Sequence, residues 1–277
     1  MKIVAIQGIH GSFHHKAAEN FFENTEEFGI LECGTFKELV KCVSGSDADY
    51  GVIAIENSIA GAILTNYKLL TKFNLKIVGE IYLPIHINLL ANKGVELKDI
   101  KEVWSHPMAI LQSEDFLDDN SSWKVLKRND TSSCAKEIHS QNLKNVAVLG
   151  SEEAAKLFNL DILLRDVQNK TDSYTRFFIV SKKSNLIEEC NKASLYFTLE
   201  HKSGRLVSLL NKMARMNMNL TKIQSIPLAE NIYEYSFFVD VVYDNRENFL
   251  HLLEHLDDIT GELVVLGEYK EDIIKQN

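Results

Sequence analysis

The sequence predicts an α/β fold followed by a ferredoxin-like βαββαβ unit. Over the first two thirds of the chain, strand-like apolar runs alternate with segments of helical periodicity, the pattern of largely parallel sheets. Several of those strands end in a short polar loop that opens a helix. From residue 193 on, the pattern changes to strand, helix, two strands, helix and strand.

KIVAIQ (2–7) reads as the first strand and residues 12–24 as the first helix. A short strand near ILECG leads into the helix TFKELVKCV; YGVIAIE (50–56) is the next strand, before a helix over 61–73. LKIVGEIYLPIHINLLAN (75–92) is a long β-rich run. EVWS, WKVLKR and NVAVLG follow as strands, with helices starting near Pro107, Thr131 and Ser151, and FFIV (177–180) is a buried strand. KKSNLIEECNK (182–192) is the expected linker. Beyond it, ASLYFTLE (193–200), NLTKIQSIP (219–227), IYEYSFFVDVVY (232–243) and ELVVLGEY (262–269) read as strands. GRLVSLLNKMARM (204–216) and ENFLHLLEHLDD (247–258) read as helices, and a turn falls at 229–231.

At 277 residues the chain exceeds one ordinary core, which suggests two domains. A net charge of -9 leaves nothing to neutralise phosphates at scale, so no nucleic-acid partner is expected. An anionic small molecule would need a local cluster of donors. The four cysteines are scattered without a CxxC pair and read as buried free thiols in a reducing compartment. The opening MKIVAIQG is too short for a signal or a span, and no other segment suits a bilayer. A cytoplasmic protein without membrane contact is expected.

The loops are GIHGS (8–12), ENSIAG (56–61), SHP (105–107) and NDTSS (129–133). In open α/β sheets ligands bind at the carboxyl ends of strands, and helix N-termini favour anions. GIHGS lacks the Gly-Lys-Ser/Thr of a nucleotide loop and reads as a tight turn capped by Ser12. His10, His14 and His15 contain one i,i+4 pair, but no carboxylate or cysteine joins them in sequence, and no metal site is expected. Asn57 and Ser58 follow a buried strand, either as a helix cap or aimed into a crevice. Ser105 is a natural N-cap before Pro107, with Gln112 on roughly the same helix face. Thr131 serves either a ligand or its helix. Thr175 and Arg176 stand directly before a buried strand, where an arginine needs a carboxylate from the protein or from a substrate.

In order, GIHGSFHHKAA, AIENSIAG, SHPMAILQ, DTSSCA and YTRFFIV resemble the motifs of prephenate dehydratases, and NLTKIQSIP with YSFFVD resembles an ACT regulatory domain. The resemblance covers nearly the whole chain. It implies a two-lobed, type II periplasmic-binding-protein-type catalytic domain over 1–183, with lobes of about 1–78 plus 170–183 and of 79–169, and an ACT domain over 192–277. The chain would cross between lobes near 78–84 and 166–172.

The implied reaction turns prephenate into phenylpyruvate with loss of water and carbon dioxide, in phenylalanine synthesis, without a cofactor. Alternatives are an arogenate dehydratase and a non-catalytic amino-acid sensor with an ACT domain. By motif, Thr175 is the catalytic threonine; Asn57, Ser58, Ser105, Gln112, Thr131, Arg176 and Phe177 contact substrate, with Arg176 expected on a carboxylate. The family's proline before Glu-Asn-Ser is Ala54 here, and Ser173 stands where members often carry Asn. The resemblance further implies L-phenylalanine as allosteric ligand at Gly204, Leu206, Val207, Asn219, Leu220 and Thr221, in a homodimer or homotetramer. Arg205, Gln224 and Ile226 depart from the family's ligand motifs. No fused chorismate mutase or prephenate dehydrogenase is expected.

Overall fold

The computed structural model describes residues 1–23, 27–184, 189–227, 235–256 and 258–273. The first lobe is built on β1 (Lys2–Gln7), β2 (Phe28–Cys33), β3 (Tyr50–Asn57), β5 (Lys76–Pro84) and β11 (Tyr174–Ser181), in the order β2-β1-β3-β11-β5. A two-residue strand β4 (Gly61–Ala62) pairs with the end of β3. It occupies the start of the expected helix over 61–73, so α3 begins only at Leu64 (Leu64–Lys72). Helices α1 (Phe13–Phe22) and α2 (Phe36–Gly45) pack on this sheet with Ala17, Ala18, Leu39, Val40 and Val43 fully buried against Val4, Ile6, Val52 and Ile53. Ser12 and Thr35 cap them, accepting from the amides of His15 and Glu38.

The long β-rich run over 75–92 is two strands. β5 ends at Pro84 and β6 (Asn88–Ala91) begins a second sheet, ordered β10-β6-β9-β7-β8. Here β7 (Glu102–Ser105), β8 (Lys124–Lys127) and β9 (Val146–Gly150) run parallel, whereas β6 is antiparallel to β9 and to β10 (Asp161–Leu164). The sheet is therefore mixed rather than largely parallel. β6 enters from a crossing segment and not through a helical crossover, so no handed βαβ connection fixes its direction. The outgoing and returning crossings lie side by side: the Ile85 amide donates to the Ser173 carbonyl and the Val167 amide to the Ile87 carbonyl. On the second sheet lie α4 (Pro107–Gln112), α5 (Glu114–Asp119), α6 (Thr131–Ser140) and α7 (Glu152–Leu157). α5 and β10 have no counterpart in the elements expected from the sequence.

The C-terminal part has the order β12 (Lys192–Leu199), α8 (Arg205–Arg215), β13 (Asn219–Pro227), β14 (Tyr235–Val242), α9 (Arg246–Leu256) and β15 (Thr260–Tyr269). Its antiparallel sheet runs β13-β14-β12-β15, the ferredoxin-like arrangement of an ACT domain. The turn expected at 229–231 lies outside the described residues. Leu195, Phe197, Leu209, Met213, Phe249 and Leu252 form its core. The chain divides into two compact units, residues 1–63 with 81–177 and residues 64–80 with 178–277. α3 and the first half of β5 thus group with the C-terminal sheet, where Tyr67 packs on Phe238 at 4.8 Å between ring centroids.

Lys192, expected at the end of a polar linker, is instead the first residue of β12 and 1 % exposed. Its ammonium lies 2.8 Å from Glu80, whose side chain is wholly buried, and 3.4 Å from Glu271. Cys33 and Cys134 are buried thiols, both pushed up to about 12 chiefly by burial, while Cys42 and Cys190 are half-buried. Among the described residues no helix is long and apolar enough to cross a membrane.

Candidate active site

The loops flagged in the sequence converge on one cavity of about 230 Å³ within the first compact unit. Both lobes wall it. The first contributes Ser12, His14, Phe36, Asn57, Thr175 and Phe177, and the second His106, Gln112, Asn129, Asp130 and Thr131. Among the described residues, its walls contain neither lysine nor arginine. Positive partial charge comes instead from the start of the ten-residue helix α1, which faces this space, whereas the start of α6 is capped by the Asp130 carboxylate.

Thr175 is held by a specific arrangement. The Asn57 carbonyl oxygen accepts from the amides of Ile59 and Ala60, at 3.0 and 3.1 Å. That fixes the side-chain amide so that Nδ2 donates to the Thr175 hydroxyl oxygen at 2.9 Å and to the Tyr174 carbonyl at 3.2 Å. The threonine oxygen is thereby engaged as an acceptor, and its hydrogen is left to donate toward the cavity.

Of the residues assigned to substrate by resemblance, Asn57, Gln112, Thr131, Thr175 and Phe177 line the cavity, and three do not. Ser58 serves the backbone: its hydroxyl accepts from the Tyr174 amide and its own amide donates to the Tyr174 carbonyl. Ser105 is fully buried, with its hydroxyl donating to the Leu149 carbonyl at 2.8 Å, and His106 takes over as the cap of α4 through Nδ1. Arg176 is 1 % exposed, 4.0 Å from Glu56 and 5.6 Å from the centre of the Tyr82 ring. Side chains alternate along a strand, so with Thr175 and Phe177 facing the cavity, Arg176 faces the other way. The expected carboxylate clamp is thus paired with a protein carboxylate.

His14 is among the lining residues that the sequence assigns no substrate role, along with Phe36 and Asp130. Its ring sits edge-on to Phe177 at 5.0 Å, and its Nε2 is buried without a partner among the described residues. Burial, with a smaller contribution from His106, lowers its pKa to about 3, so the imidazole is neutral. Burial also lowers that of His106, against an opposing pull from Asp130. The other two histidines of the motif lie elsewhere: His10 pairs with Glu32 at 2.5 Å, and His15 accepts from the Gly11 amide.

A folded-state pKa below the unfolded value of about 6.5 means that the unfolded chain alone takes up the proton as pH falls. Stability is therefore lost from pH 6.5 downward, toward pH 3. Between pH 7.5 and 5.5 this amounts to about 1.4 kcal/mol for one histidine. Urea titrations should show wild type losing that much more than His14→Gln over this interval; equal losses would contradict a neutral buried His14.

The lobes meet through the glycine loop. Ser132 donates to the His10 carbonyl at 2.7 Å and Ser151 to the Gly11 carbonyl at 2.6 Å. Gly8 and Gly11 have φ of +94° and +83°, and a Cβ on either would lie 2.8 Å from a side-chain oxygen of Asp130 or Ser132. Only glycine lets this loop approach so closely.

A prephenate dehydratase family model matches residues 4–185. The chain belongs to the prephenate dehydratase family. It is 36% identical over 284 residues to Arogenate dehydratase/prephenate dehydratase 2, chloroplastic, of Arabidopsis thaliana, covering 97% of this chain and 73% of that one. A structure of prephenate dehydratase in complex with L-Phe from Arthrobacter aurescens superposes with a TM-score of 0.86 at 24% identity, covering 97% of this chain and 90% of that one. A structure described as GqqA, a novel type of quorum-quenching acylase, does so equally well, with a TM-score of 0.86 at 25% identity over 99% and 100% of the two chains. The family is one of prephenate- and arogenate-type lyases, and the fold is that of its solved members, with a two-lobed α/β catalytic domain. Since a dehydratase and an acylase share this fold, the chemistry of a prephenate dehydratase family member has to be argued from its cavity.

In the ACT domain, the six residues assigned to phenylalanine fall into two groups. β12 and β14 pair Leu199 with Tyr235, and β13 and β14 pair Asn219 with Val242 and Pro227 with Tyr235. Gly204, Leu206 and Val207, just beyond Leu199, thus lie at one end of the sheet. Asn219, Leu220 and Thr221 lie at the other, about 20 Å away by strand rise. Arg205 pairs with Glu200 at 3.1 Å.

Proposed function

We propose that this chain converts prephenate to phenylpyruvate. The bond from the ring to its carboxylate breaks, its electrons enter the ring, the ring C–O bond breaks, and carbon dioxide and hydroxide leave as the ring becomes aromatic, the hydroxide becoming water with a proton drawn from solvent. The observation that carries this reading is the Asn57–Thr175 arrangement, a hydroxyl whose oxygen is occupied and whose hydrogen is offered to the cavity. Thr175 hydrogen-bonds the departing oxygen, and Asn57 holds it in that role. General-acid assistance of this kind is typically worth ~10²–10⁴ in rate.

The lack of a lysine or arginine in the cavity walls suits the chemistry. A full cation on the ring carboxylate would oppose loss of neutral carbon dioxide. The rings of Phe36 and Phe177 favour the neutral product over the carboxylate, and the N–H groups opening α1 receive the carboxylate that remains. Gln112, Thr131 and the neutral His14 and His106 orient the substrate through hydrogen bonds.

Formation of phenylpyruvate from prephenate, followed by ultraviolet absorption, tests the reading, with kcat/KM compared on arogenate. Higher kcat/KM on prephenate is expected. Preference for arogenate would reassign the substrate, and turnover of neither would overturn the reading.

The same reading makes L-phenylalanine a feedback ligand of the ACT domain, bound across two copies in a homodimer or homotetramer. Support comes from the separation of the two residue groups, since a single small ligand reaches both only if each copy supplies one. Heat of phenylalanine binding together with inhibition is expected by calorimetry and assay; neither at millimolar ligand would reject it.

A further inference from the structure

Helix α9 carries a group that neither the fold nor the dehydration uses. Its inner face buries Phe249, Leu252 and Leu256. Its outer face presents His251, Glu254 and His255, all exposed, in the pattern His-x-x-Glu-His. Residues three and four apart on a helix are neighbours one turn on. The two imidazoles accordingly stack with centroids 4.3 Å apart and ring planes 12° apart. One ligand atom from each of the three residues lies within 4.8 Å of the others.

We infer that His251, Glu254 and His255 form a binding site for a divalent late transition ion such as Zn²⁺ or Ni²⁺. The tautomer of His255 supports this directly. Its Nδ1 lies 2.9 Å from the His251 carbonyl oxygen. A carbonyl only accepts, so Nδ1 bears a hydrogen, and in the neutral imidazole the lone pair is on Nε2. This is the arrangement in which a metal-binding imidazole is oriented by a hydrogen bond from its other nitrogen.

Two imidazoles and one carboxylate are a zinc ligand set that leaves a coordination position for water. Donors about 2.0–2.1 Å from a tetrahedral ion stand about 3.3 Å apart. The exposed side chains reach that spacing by rotamer adjustment, without moving the helix. Lys212 donates from its ammonium to the His255 carbonyl at 2.7 Å. Imidazole donors favour Zn²⁺, Ni²⁺ and Cu²⁺ over Mg²⁺ and Ca²⁺. An ion held here bridges one turn of α9 and stabilises the folded ACT domain by mass action.

Calorimetry on the full, metal-free chain with Zn²⁺ or Ni²⁺ chloride tests the site, with Mg²⁺ as comparison. Wild type should bind Zn²⁺ and Ni²⁺ but not Mg²⁺. His251→Ala or His255→Ala should weaken the binding by at least the roughly 10–100-fold that loss of an outer partner alone costs. The chain has nine histidines, so location is read separately. Substoichiometric paramagnetic Ni²⁺ should broaden the ring resonances of His251 and His255 before those of His10 and His15. Equal affinity in wild type and both variants, broadening elsewhere first, or no binding at millimolar metal would overturn the assignment.

Discussion

Thr175→Val should lower kcat by about 10²–10⁴ while leaving KM within a fewfold of wild type. Valine preserves the shape and β-branching of the strand residue, so the variant removes the hydroxyl and little else. Asn57 then loses one acceptor but keeps the Tyr174 carbonyl, and its own oxygen stays on Ile59 and Ala60. The support of the loop survives, and the defect belongs to the departing oxygen. Thr175→Ser should recover much of the rate, because Asn57 orients the hydroxyl and not the methyl. A Val variant with kcat near wild type would remove Thr175 from the chemistry.

Lys192→Met should destabilise the C-terminal unit by about 3–5 kcal/mol, because it leaves the Glu80 carboxylate buried without its cation. The Asp272 amide, 3.2 Å from Glu80, still donates but carries no charge. The double variant Glu80→Met/Lys192→Met should regain most of the loss, since a buried pair exchanged for apolar side chains is often neutral or stabilising. Thermal and urea unfolding of the three proteins separates the cases. A single variant within about 1 kcal/mol of wild type would mean that water reaches the pair.

Much of the fold is readable because strand and helix periodicities are local. KIVAIQ, EVWS and NLTKIQSIP fall where alternation puts them, and the polar strand-to-helix loops converge on one cavity. What the pattern does not hold is direction and facing. β6 runs antiparallel because the chain enters it from a crossing segment, a constraint that no residue of NLLA reports. Lys192 and Glu80 are 112 residues apart, so a lysine beside a polar stretch reads as solvated until its partner is known. Ser105 looks like a cap by type, but its hydroxyl is drawn to the Leu149 carbonyl and His106 caps instead.

Arg176 is different. If Thr175 faces a ligand, strand alternation already turns Arg176 away, and the sequence held that conflict. His14 lay within a flagged motif and was weighed for metal. Its burial, which sets its neutrality, depends in part on Phe177, more than 160 residues along the chain.

The contact of Ser132 and Ser151 with the glycine loop has a consequence for how firmly the lobes are held. Two hydroxyl-to-carbonyl bonds are worth about 0.5–1.5 kcal/mol each, so the clasp is shallow. A ligand that contacts both lobes would add to that hold. The two glycines that admit the backbone so closely set the place where that hold is made.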